Sequence, residues 1–299
     1  MQNIHGILLV IAAMAGFTIE DTLIKRMSQD IPVGQLLIIL GLASTVIFAL
    51  IARVRGHDIF ARAAWRPMFL WRALAEATAA MAFVTSLSLV DISVVAAVFQ
   101  ATPLVITMGA ALFLGEDVGW RRWTAIGLGF VGVLMIIRPG VAGFEPAALI
   151  VLISVCAIAA RDLITRRIDA NVSSFVISFQ GFGVAIPAGF LLLALSGDGP
   201  TAMTPAHGAM MLGAVVVGAL SYYGIVQAMR LGEAAAVTPF RYTRLLFSLV
   251  VGVTGFGEHP DTMTLAGAAL IIATGLYTFV REQRLARRQR RDLAGNPNI

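Results

Sequence analysis

Apolar residues in this chain neither alternate nor recur every third or fourth position. They come in long runs separated by short polar clusters. Ten runs stand out, at roughly 4–24, 34–52, 67–88, 92–114, 122–138, 146–165, 174–195, 207–229, 235–256 and 262–280. About 20 helical residues cross a hydrocarbon layer about 30 Å thick, which is the length of these runs. The strands of a membrane barrel would instead alternate in polarity over about ten residues. The pattern therefore predicts an all-α membrane protein of ten transmembrane helices, with loops too short to carry separate chemistry.

Composition narrows the class further. The 299 residues are 58% hydrophobic and 13% charged, with a mean hydropathy of +0.85, whereas soluble domains carry about 45–50% apolar and about 25% charged residues. A soluble enzyme, a disordered chain and a disulfide scaffold are excluded. Cys156 is the single cysteine, and the four histidines (His5, His57, His207, His259) stand apart from one another. Neither a metal site nor a cofactor is expected.

The net charge of +5 calls for no nucleic acid, because most cations fall in loops. With a cytoplasmic N-terminus, Arg53, Arg55, Arg62, Arg66, Arg121, Arg122, Arg166, Arg167, Arg230 and the arginines from Arg281 to Arg291 lie inside. Only Lys25, Arg26 and Arg138 then lie outside. By the positive-inside rule both termini are cytoplasmic, in a bacterial inner membrane, with 282–299 as a basic tail. Ala13-Met14-Ala15 resembles a cleavage site, but no Lys or Arg precedes the first run, so it is expected to remain as a helix. Trp65, Trp71, Trp120 and Trp123 fall at inner span ends, as an aromatic belt does.

The halves of the chain resemble each other. An offset of 141 sets Asp21 on Asp162, Leu8 on Leu149, Val10 on Val151, Lys25 on Arg166 and Arg26 on Arg167. An offset of 142 sets Gly115-Glu116 on Gly257-Glu258, and Leu89 and Asp91 on Leu231 and Glu233. Five spans per repeat is an odd number, so the second half enters the membrane inverted. Such repeats place a site between the halves, near the midplane. The expected division is 1–140 and 141–281.

Gln100-Ala-Thr-Pro103-Leu104, Leu112-Phe-Leu-Gly-Glu116, Trp123, Gly127 and Gly132-Val-Leu-Met-Ile136 resemble the fourth and fifth helices of an EamA-type drug/metabolite transporter. The resemblance implies secondary transport of small metabolites, commonly amino acids or their derivatives, and no enzymatic reaction. It also implies a central cavity lined by the first, third, fourth, sixth, eighth and ninth helices. In the second repeat Leu245 stands where Pro103 would recur and the proline sits earlier, at Pro239. That displacement argues against strictly symmetric helix breaks, with Pro103 and Pro239 as the kinks.

Eight ionisable residues fall within the runs: Glu20, Asp21, Arg72, Glu76, Arg161, Asp162, Arg241 and Arg244. Each costs about 2.5–3.5 kcal/mol at a bilayer centre. They are read either as packing pairs, such as Arg72 with Glu76 one turn on, or as function. Glu20, Asp21, Arg161 and Asp162 are gating candidates, each carboxylate pairing across the halves when its own side is closed. The alternative for Asp21 and Asp162 is a helix-end acid served by water and the nearby cations. Arg241 and Arg244, three apart after Pro239, are candidates for an anionic substrate group, and Arg72, Glu76, Gln100, Tyr222 and Tyr223 are further candidates for substrate binding.

Three function classes stay open at this point. One is export of a small amphoteric metabolite, an amino acid or derivative, by alternating access. The second is uptake of a cofactor-like solute such as S-adenosylmethionine or riboflavin, and the third an intramembrane enzyme. Expected partners are the substrate and the lipid bilayer, with the chain a monomer or homodimer.

Overall fold

A computed structural model describes residues 2–61, 65–116, 118–139, 146–165, 167, 172–231 and 238–295. Arg62, Arg166 and Glu233 lie outside the described residues, as do the side chains of Arg230 and of the arginines from 287 onward. The described residues are helical with no strand. The helices are α1 (Gln2–Met27), α2 (Val33–Val54), α3 (Pro67–Leu89), α4 (Ile92–Phe99), α5 (Thr102–Leu114), α6 (Trp120–Ile137), α7 (Ala148–Thr165), α8 (Ser174–Ser196) and α9 (Pro205–Leu231). A 3-10 turn (Thr238–Tyr242), α10 (Thr243–Phe256) and α11 (Thr262–Gly295) complete the order.

Nine stretches among the described residues are long and apolar enough to cross a membrane. The fourth is α4 and α5 end to end, and the ninth expected span is absent as one helix because it divides into the 3-10 turn and α10. Large apolar side chains such as Leu8, Val46, Leu70, Ile153, Phe190 and Val250 face outward. In water such a surface would drive association; here it faces lipid.

The two breaks fall at nearly matching positions even though the prolines do not. α4 ends at Gln100, with Pro103 in the first turn of α5. The second break ends at Tyr242, 142 residues further on, with Pro239 inside the 3-10 turn. Gln100 (φ −66, ψ −10) and Tyr242 (φ −66, ψ −15) have nearly the same backbone. Either proline removes an N–H from the local helical ladder, so it favours a break in its vicinity without fixing the residue. The breaks nonetheless differ in kind, an α-helix end before Pro103 and a 3-10 turn around Pro239, as the displaced proline led one to expect. Gly115 (φ 68) and Gly257 (φ 67) then end α5 and α10 in the left-handed region that glycine adopts at no steric cost.

Helix contacts follow the inverted repeat. α1 packs on α9 as α3 packs on α7, and α1 packs on α10 as α7 packs on α5, while α2 with α8 and α6 with α11 each pair with their own counterpart. Two of these self-paired crossings are glycine on glycine. A Cβ on Gly34 would come within 2.5 Å of the Gly189 carbonyl oxygen, and one on Gly189 within 2.6 Å of that of Gly34. Gly132 and Gly267 stand in the same reciprocal relation, at 2.7 and 2.6 Å. Small residues of this kind let backbones meet in membranes, where packing rather than water drives association.

Candidate functional site

Two adjoining cavities, of about 450 and 480 Å³, lie between the halves. Phe17, Phe99, Ile158, Arg161, Asp162 and Arg244 belong to the walls of both. All eight ionisable residues of the spans line one or the other. Periodicity alone could not bring them together, because they come from α1, α3, α7, the 3-10 turn and α10.

The first cavity holds a connected set of charges. Arg244 Nη2 donates to Asp21 Oδ2 at 2.6 Å, tying α10 to α1. The Arg244 guanidinium also lies 5.3 Å from the Phe17 ring, 5.5 Å from Phe99 and 5.8 Å from Phe83, a setting in which aromatic faces stabilise a cation. Glu76 accepts from Arg72 at 3.1 Å, one turn earlier on α3, and from Arg161 of α7 at 2.9 Å. Arg161 also reaches its neighbour Asp162 at 2.8 Å, and Arg72 Nε donates to Thr165 Oγ1 at 3.0 Å. Asp21 therefore pairs across the halves, whereas Asp162 is bound by Arg161 of its own helix.

Glu20 and Arg241 are left over. Among the described residues neither makes an ion pair or a hydrogen bond. The Glu20 carboxylate lies in the first cavity against Gly218, whose added Cβ would meet Oε1 at 2.5 Å. Arg241 lines the second cavity and is exposed to it. Tyr222 is in the first cavity, its hydroxyl 2.8 Å from Ser178 Oγ and its ring edge-on to Phe48. Gln100 and Pro103 line the second cavity together with Pro239 and Tyr242.

Three expectations need correction. Tyr223 is 54% exposed on the far side of α9 and lines neither cavity, because consecutive helical residues point about 100° apart. Arg241 and Arg244 line the second cavity together but not as two equivalent cations, because Arg244 is bound to Asp21. The second and seventh spans also contribute to the wall, through Leu37, Gly41 and Ser44 of α2 and Ser178, Gly181 and Phe182 of α8.

A polar clamp that the residue pattern did not single out closes the helix ends around Met27, Leu89 and Phe256. Glu258 is buried and accepts from the backbone N–H groups of Ile92 (2.6 Å) and Ser93 (3.1 Å) and from Ser93 Oγ (2.6 Å). It thereby satisfies the free donors at the start of α4, where a negative charge is favourable. Lys25 Nζ donates to the Val90 carbonyl at 2.5 Å and the Leu87 carbonyl at 3.2 Å, 3.9 Å from Glu258. Nearby in sequence, Asp261 is bound to Arg138. The match of Gly257-Glu258 to Gly115-Glu116 was the available signal. Its structural meaning needed α4 to be placed.

The model of the EamA-like transporter family matches the chain twice, over residues 4–138 and 145–280. A riboflavin transporter of Rhizobium johnstonii is 32% identical over 231 residues, covering 76% of each chain. An S-adenosylmethionine uptake transporter of Rickettsia conorii is 26% identical over 205 residues, 68% of each. The pseudopaline exporter CntI of Pseudomonas aeruginosa is 23% identical over 268 residues, 89% of this chain and 93% of the other. One solved crystal structure superposes with a TM-score of 0.56 at 17% identity, over 88% of this chain and 96% of that one, and shares the fold.

Proposed function

Because this chain belongs to the EamA-like transporter family, we propose that it is a secondary transporter of a zwitterionic solute larger than a free amino acid. The observation that carries this is a pair of ionisable groups with no ion-pair partner among the described residues. Glu20 in one cavity is offered to a cationic group and Arg241 in the other to an anionic one, on either side of the engaged Asp21–Arg244 pair. Buried charges are retained where they find partners, and a solute with both signs would supply two. Volumes of about 450 and 480 Å³ fall in the 300–1,000 Å³ range of cofactor-sized ligands. An S-adenosylmethionine-like solute, with cationic and carboxylate groups on one molecule, suits this arrangement better than a single amino acid. Phe182 and Tyr222 offer a flat apolar surface for a ring.

The same reading assigns a state and a cycle. Both termini are taken as cytoplasmic, so the Lys25–Glu258 clamp lies at the outer end and the chain is closed to the outside. Asp21–Arg244 is then the engaged cross-half pair. Asp162, which lines the second cavity with Arg241, would take Arg241 as its partner when the halves rock the other way.

The test is flux into proteoliposomes. Labelled S-adenosylmethionine, riboflavin and a neutral amino acid are offered with and without an imposed proton gradient. Accumulation of the zwitterionic cofactor, lost in both Glu20→Gln and Arg241→Gln, supports the reading. Accumulation of the amino acid alone returns the site to small metabolites. Equal flux of all three in the variants contradicts it.

A further inference from the structure

A third hollow, of about 400 Å³, lies outside the central site, in the seam between α5 and α7. Its floor is small on α7, with Cys156, Ala159 and Ala160, while Leu163 covers Gly109 of α5. Large apolar residues rise around it, with Leu112 and Phe113 exposed. The groove follows α5 from Val105 to Leu114, a rise of about 13.5 Å at 1.5 Å per residue. That is close to one leaflet of hydrocarbon, about 15 Å.

The groove ends in a charge. Arg167, just past α7, also lines it and donates through Nη2 to the Phe113 carbonyl at 2.7 Å. That bond uses one of five guanidinium donors and holds the group at the mouth, on a residue that is otherwise exposed. The remaining donors match a phosphate in geometry and sign.

We propose that this groove binds one acyl chain of an anionic phospholipid, with the lipid phosphate on Arg167. The length fixes a chain of single-leaflet depth, the small floor gives it room, and the guanidinium selects the headgroup. The opposite side of the same seam, at Thr107, Ile158 and Arg161, is a wall of the central cavity, so the lipid would brace the site from outside.

Native mass spectrometry of the detergent-purified full chain, with phosphatidylglycerol or phosphatidylcholine added, reads this directly. The wild-type protein should retain phosphatidylglycerol about fivefold better, the worth of one basic residue near an anionic headgroup. Arg167→Gln should abolish the preference. Ala160→Phe, or the smaller filler Ala160→Leu, should lower retention of both lipids, since this one exposed position leaves the packed seam intact. A preference unchanged in Arg167→Gln, or retention unchanged in both fillers, overturns the proposal. Loss of a dimer in the fillers with lipid retention intact also overturns it, in favour of a second copy of the chain in the groove.

Discussion

Asp21 of α1 and Arg244 of α10, 223 residues apart, meet at 2.6 Å and tie the two halves of the chain together beside the central cavities. Removing one partner of a buried pair strands the other charge, at a cost of about 3–5 kcal/mol. Asp21→Asn and Arg244→Gln should each lower the melting temperature in detergent. The double variant should lose much less than the two singles together, because the singles share one interaction. Simple additivity would mean that the two residues act separately.

Glu258 serves three donors at the start of α4. Glu258→Ala leaves them without an acceptor, at about 1–3 kcal/mol for each buried group, while Glu258→Gln keeps one oxygen. With Cys156 replaced by alanine, a cysteine placed at Ser88 should react faster with an impermeant maleimide in Glu258→Ala than in wild type, and at an intermediate rate in Glu258→Gln. Identical rates in all three would remove the clamp from the closure.

The glycine crossings set a packing limit. Gly34→Ala and Gly132→Ala each force a Cβ against a carbonyl oxygen of the facing helix, an overpacking of about 1–3 kcal/mol. Gly127, also helical, would meet nothing within 4 Å. Gly127→Ala should therefore be neutral or stabilising, alanine being the better helix former by about 1 kcal/mol. Parallel thermal melts separate the two classes.

Acid should affect the two loop carboxyls oppositely. Hydrogen bonds from Arg138 and the Thr264 backbone hold Asp261 far below its ordinary value of 3.8. Its contribution is present above that value and lost only as pH falls toward the depressed one. Asp261→Asn should therefore lower the melting temperature equally at pH 5 and pH 8. Burial and the nearby Glu258 raise Asp91 above 3.8, so its contribution is full below 3.8 and lost as pH rises through the raised value. Asp91→Asn should stabilise at pH 7, with the gain shrinking toward pH 4.

Much of the fold was legible because lipid imposes a simple rule: a run of about 20 apolar residues becomes a helix. The repeat followed from Asp21 on Asp162 and Gly115-Glu116 on Gly257-Glu258. Local geometry was legible too, as with Arg72 and Glu76 one turn apart. Pairings across the chain were not, since nothing in sequence says that Arg244 prefers Asp21 while Arg241 does not. Both arginines lie on one segment three residues apart, and only the placement of α1 separates them. Tyr223 failed for the converse reason: adjacency to Tyr222 in sequence is divergence on a helix.

The central claim is that Glu20 and Arg241 hold the opposite charges of one solute. It is tested most directly by calorimetric binding of S-adenosylmethionine to purified wild type, Glu20→Gln, Arg241→Gln and Arg241→Lys, with melting temperatures measured on the same samples. A charge-assisted contact is worth about 1.5–3 kcal/mol, so each Gln variant should bind about tenfold to a hundredfold more weakly while melting as wild type does. Lysine, which keeps the charge without the planar fork, should restore part of the loss. Unchanged affinity in both Gln variants, or losses that track melting temperature, would contradict the account.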